Sequence, residues 1–187
     1  FSRAFRDAAE SRATEVVLPP FDATIRDAVL NSAPQPIAEC LSAYEGARDL
    51  AGGVQALVGV AESCLELVAV IARCGRHQSG GFPAADDEPE TCQLVRDWCN
   101  QGLTGAEKLE LARALVAPVV DSPDMFPVPD LVISLDADRE IFADLAKVSS
   151  GRAENPRAAC ERSVKALERA LEKLSFLSDY PLVVRVR

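Results

Sequence analysis

Histidine is almost missing from this chain: His77 is the only one among 187 residues. A zinc site built on cysteine and histidine needs closely spaced ligand pairs. None of the six cysteines (Cys40, Cys64, Cys74, Cys92, Cys99 and Cys160) stands in a C-x-x-C arrangement. No metal and no cofactor is expected, and a thiol nucleophile lacks histidine and Asn/Asp partners beyond His77. A link between Cys92 and Cys99 is not expected either, because helical residues at that spacing lie about 10 Å apart along the axis. The cysteines fall mostly within apolar helical patterns and read as reduced thiols filling core space. That predicts a reducing, intracellular compartment, cytoplasmic or nuclear.

Clustered positive charge is also lacking. Lys and Arg total 20 against 29 Asp and Glu, a net charge of −9, and the cations are scattered, so no footprint for duplex DNA or RNA is seen. No uninterrupted apolar run reaches the roughly 20 residues that span a bilayer. The longest candidate, Val54 to Ala72, is broken by Glu62 and Glu66. Neither nucleic acid nor membrane is expected as a partner. The chain opens at Phe1 rather than Met, the start expected of a trimmed or processed product.

What is present fits one domain over residues 1–187. A 48% hydrophobic, 26% charged chain of this length has enough apolar material for its own core. Helical patterns run over Ser2–Arg12, Ala23–Leu30 behind a capping Asp22, Ile37–Leu50, Val54–Val68, Thr91–Gln101, Asp138–Lys147 and Arg157–Leu174. Another runs over Thr104–Val116, where Thr104 and Glu107 form a capping box. Gly75, Gly80, Gly81, Pro83 and Pro89 mark an exposed loop near residues 75–90. The run Glu66–Ala72 fits either a helix or a buried strand.

Three segments read as strands: Glu15–Leu18, halted by Pro19 and Pro20; Leu131–Leu135, a nearly continuous apolar run; and Pro181–Val186. Strands separated by helices predict a helix-rich α/β fold, a short parallel sheet flanked by helices. An all-α bundle, with the apparent strands as extended connections, is the alternative.

The second half, roughly residues 91–187, has a recognisable order. Gly102-Leu103-Thr104-Gly105-Ala106-Glu107 precedes a helix, and Pro129-Asp130-Leu131-Val132-Ile133-Ser134-Leu135-Asp136-Ala137-Asp138 follows. This resembles the approach to the late strand of the deoxynucleoside and thymidylate kinases, which belong to the P-loop kinases. The resemblance implies a lid-like stretch carrying Arg152 and Arg157, a long helix and a last strand. It also places the phosphate-binding loop after Leu18, where the sequence has Pro19, Pro20, Asp22 and Thr24 with neither glycine nor lysine. Prolines donate no N–H to a phosphate, and Asp22 adds negative charge at that place. Only Thr24 matches the family's hydroxyl position.

No catalytic residue is therefore assigned. The functional expectation is a non-catalytic protein-interaction or scaffold domain, a pseudoenzyme derived from a nucleoside kinase, with other proteins or a second copy of the chain as its partners. One alternative is a helical adaptor unrelated to kinases. The other is a nucleotide-handling enzyme with an atypical site, for which Asp136 and Asp138 are the candidate carboxylates, weighed against helix capping. Arg76 and His77 read as a solvated loop, and Arg152, Arg157 and Arg162 as helix-surface charge pairs rather than a phosphate clamp.

Overall fold

The computed structural model describes residues 17–80, 88–151 and 155–180. Among them the chain forms eight α-helices and three short 3-10 turns: α1 (Ala23–Ser32), α2 (Gln35–Glu45), α3 (Leu50–Gln78), α4 (Pro89–Gln101), α5 (Gly105–Val116), α6 (Pro129–Ala137), α7 (Arg139–Ser149) and α8 (Pro156–Lys173), with the turns at Ala117–Val119, Pro123–Met125 and Ser175–Ser178. No strand occurs among the described residues, so the expected α/β fold with a parallel sheet is overturned in favour of an all-helical one. The N-terminal helix Ser2–Arg12, part of the first strand, the lid residue Arg152 and the final strand Pro181–Val186 lie outside the described residues.

The clearest expected strand, Leu131–Leu135, is the middle of α6. A strand buried on both faces would hide every side chain of the run. Here Leu131, Val132 and Leu135 are buried at helical spacing, while Ile133 points outward at 52% exposure. The local signals for a helix are Pro129, whose fixed φ suits the first turn, and Asp130 in that same turn, where a negative charge meets the helix dipole.

At the centre lies α3, 29 residues and about 43 Å long at 1.5 Å per residue. The ambiguous run Glu66–Ala72 belongs to it, and so do Gly75 to Gln78, which narrows the expected loop. Gly75 reads as a breaker but serves as a contact: a Cβ there would stand 2.2 Å from Cζ of Phe126, so only glycine admits the ring. Around α3 pack α2, α5, α7 and α8. Leu57, Val60, Ala61, Cys64, Leu65, Val68 and Ala72 are buried against them. By length and composition α3 is apolar enough to cross a membrane, with a mean hydropathy of 1.8; in this fold that apolarity covers it with other helices. Glu66 is kept at its edge by Lys108 of α5, 2.7 Å away.

Two helix starts follow the residues read from sequence, and the first is Asp22, which accepts from the backbone N–H of Thr24 and Ile25. Two further caps are not read there: Asp49 accepts from Gly52 N–H at 2.7 Å, and Asn155 accepts from Arg157 and Ala158 N–H. The Thr104–Glu107 capping box is complete, and its hydrogen bonds hold the Glu107 carboxyl below its ordinary range.

The helical register of α6 has a direct test. Leu135→Ala should cost about 2–5 kcal/mol in chemical denaturation, the range for a buried leucine, whereas Ile133→Ala should change stability by no more than about 0.5 kcal/mol. Equal losses at both positions would restore a strand buried on two faces.

Candidate functional site

The residues that the kinase resemblance places in a phosphate loop form a strap instead. Phe21 is buried with its ring edge-on to Tyr44, 5.5 Å between centroids. The Tyr44 hydroxyl donates to the Pro19 carbonyl at 2.7 Å, and burial raises the phenol well above its ordinary pKa, which keeps that donor protonated. Leu18 lies so close to α3 that a Cβ on Gly53 would stand 2.8 Å from its Cδ2. The backbone N–H of Asp22 donates to Glu168 of α8 at 2.6 Å. Pro19 and Pro20 thus lead an extended segment across α2, α3 and α8. Thr24 lines a separate small groove between α1 and the end of α8.

The other expected residues are dispersed. Arg157 pairs with Glu161 at 3.6 Å, the helix-surface role expected of it. Arg76 lies in the last turn of α3 and faces Glu88 at 3.6 Å; His77 follows it in the same turn. Asp138 caps no backbone group with its side chain and pairs with Lys173 at 3.2 Å, while Asp136 pairs with Arg139 at 2.5 Å. Among the described residues no three His, Cys, Asp or Glu side chains gather as a metal centre. Cys40, Cys64, Cys74, Cys99 and Cys160 are free thiols. Burial pushes the Cys64 thiol up to about 12 and raises that of Cys160, so both stay neutral near pH 7.

A groove of about 810 Å³ lies between α5 and α7, closed at one end by the 3-10 turn after α5 and by the end of α6. The buried part of its lining is Leu109 and Val116 of α5 and Leu135 of α6, and alanines stand around it: Ala106 and Ala114 on α5, Ala117 beyond it, and Ala143 and Ala146 on α7. Their spacing places each set along one side of its helix. Methyl-sized side chains leave room for another helix to approach at the lower end of the ~8–10 Å interaxial range. Charged residues form the rim, with Glu110 and Arg113 on α5, Asp136 and Arg139 near the α6–α7 corner, and Lys147 on α7.

Arg113 is the unusual member. One Nη donates to the Arg139 carbonyl at 2.9 Å, yet its Nε is buried without a hydrogen-bond partner. No carboxylate among the described residues pairs with it. Desolvation by the surrounding helices, and then the nearby Arg139 charge, lower its pKa from the ordinary arginine value, the mark of a cation that lacks compensation. A polar group held in this way costs free energy in the isolated chain and gains most from an incoming anion. Sequence inspection missed this site, because alanine in a helix reads as propensity alone, and Arg113 carries no motif.

No family model, no curated protein and no solved structure matches the chain.

If Arg113 is held at a cost, replacing it should be nearly free. Arg113→Met, which keeps the aliphatic stem, should leave unfolding free energy within about 1 kcal/mol of the parent in urea titrations. A loss of about 3 kcal/mol or more, the size expected for breaking a compensated buried pair, would show instead that Arg113 supports the fold.

Proposed function

We propose that this chain is a non-catalytic protein-interaction module whose α5–α7 groove receives an amphipathic helix from a partner protein, with a carboxylate of that helix set against Arg113. The uncompensated Arg113 at the wall of an apolar, alanine-lined groove carries the reading. The floor supplies shape and apolar contact, which a helix meets with residues at i, i+3, i+4 and i+7. The unpaired cation supplies selectivity, since an acidic residue relieves it and a basic one adds to the repulsion from Arg139.

Isothermal titration with a synthetic helical peptide provides the test. The peptide carries an alanine and leucine stripe and one central glutamate, and its control has lysine at that place. The glutamate peptide should bind and shift the amide resonances of Ala114 and Ala143. The lysine control, and the glutamate peptide with Arg113→Met protein, should bind at least about tenfold more weakly, as for loss of one charge-assisted hydrogen bond. Equal affinity for both peptides, or shifts elsewhere on the surface, would refute the proposal. Concentration-dependent dimerisation that buries the same alanines would assign the groove to a second copy of the chain instead.

A further inference from the structure

A second cleft, of about 490 Å³, lies between the first turns of α3, the end of α7 and the first half of α8. Its floor is apolar, with Val54 and Val58 from α3, Val148 from α7 and Ala159 and Ala166 from α8. Around that floor stand four cations, Lys147, Arg162, Lys165 and Arg169, and a single carboxylate, Asp144. The excess is local, because the whole chain carries −9.

The arrangement follows from the charge pattern of α8. At 100° per residue, Arg162 and Arg169 lie on the flank beside the cleft, Lys165 lies on the outward face next to them, and Glu161, Glu168 and Glu172 form the adjoining stripe on its far side. Two contacts locate that acidic flank: Glu168 accepts from the Asp22 N–H, and Glu172 lines the groove beside α1. Asp144 is already engaged by Lys147 at 2.8 Å and by Arg169 at 2.9 Å, and those cations hold its carboxyl below the ordinary range. Arg162 donates its Nε to the Ala158 carbonyl, and neither it nor Lys165 has a carboxylate partner among the described residues. Two unpaired cations therefore face one apolar cleft, and the hydroxyl-bearing Ser163 lines it too.

We infer that this cleft binds a phosphate monoester carried on a short apolar body, with Arg162 and Lys165 holding the phosphate and the Val54–Val58 floor holding the body. A monoester carries about −1.5 to −2 charges near neutral pH and three acceptor oxygens, which matches two unpaired cations better than a carboxylate does. The inference is independent of the α5–α7 groove. Lys147 lies on the ridge between the two sites and is left unchanged in the test.

Hexyl phosphate, inorganic phosphate and hexanoate, titrated into the whole chain by calorimetry, separate the contributions. Hexyl phosphate should bind saturably, and both inorganic phosphate and hexanoate at least about tenfold more weakly. The double variant Arg162→Gln/Lys165→Gln should lose at least about tenfold in affinity for hexyl phosphate while keeping the parent's melting curve. A control double variant, Arg157→Gln/Lys173→Gln, removes the same charge away from the cleft and should bind as the parent does. No saturable binding, equal loss in both variants, or inorganic phosphate as tight as hexyl phosphate would overturn the inference, and hexanoate as tight as hexyl phosphate would overturn the phosphate assignment. Given binding of hexyl phosphate, cosedimentation with phosphatidylcholine vesicles only when they contain phosphatidic acid identifies a lipid headgroup as the source, and no cosedimentation identifies a soluble ligand.

Discussion

A helix that is apolar around most of its circumference has to be covered on several sides at once, and α3 imposes that requirement on the rest of the chain. Its buried residues include Leu57, Val60, Ala61, Cys64, Leu65, Val68, Ala69 and Ala72, so no single partner helix can hide them. The covering helices α2, α5, α7 and α8 meet that need, and their own polar faces turn to solvent. Glycine sets how closely the covering parts approach. Gly75 admits the Phe126 ring, Gly53 admits Leu18, and at Gly105 a Cβ would stand 1.9 Å from the Ser149 hydroxyl, which joins the starts and ends of α5 and α7.

The two clefts are products of that arrangement. Helices chosen to cover α3 touch one another only in part, and furrows remain between neighbours. Between α5 and α7 the furrow is lined by leucine, valine and alanine and edged by Arg113. Beside α8 it is floored by valine and alanine and edged by an excess of cations over the one carboxylate, Asp144, that lines it. Both furrows combine an apolar floor with charge that the described chain leaves without a counterpart, and the two proposed binding roles rest on that combination.

Much of the helical framework was legible in the sequence, because caps and breakers are local chemistry. Asp22, the Thr104–Glu107 box and the stop at Gly102 all act through hydrogen bonds or dihedral angles within a few residues. The fold class was not legible in the same way. Leu131–Leu135 is a five-residue apolar run, and at that length a strand and a helix bury similar patterns. The decision came from Pro129 and Asp130 at its start and from the core available to Leu131, Val132 and Leu135. Gly75 misled for a related reason, since whether a glycine ends a helix or receives a ring depends on Phe126, far along the chain. The sites were hardest to see. Arg113 stands out because its Nε is buried and unpartnered, and Arg162 and Lys165 because they line an apolar cleft with no carboxylate paired to them among the described residues. Neither property belongs to a residue read singly.

The central claim is that α3 is the enclosed core to which everything else is fastened, and native-state hydrogen exchange tests it most directly. Amides from Leu57 to Ala72 should exchange only through global unfolding, with the same free energy as chemical denaturation reports. Exchange of those amides through openings of much lower free energy, while α5 and α8 remain protected, would contradict the claim.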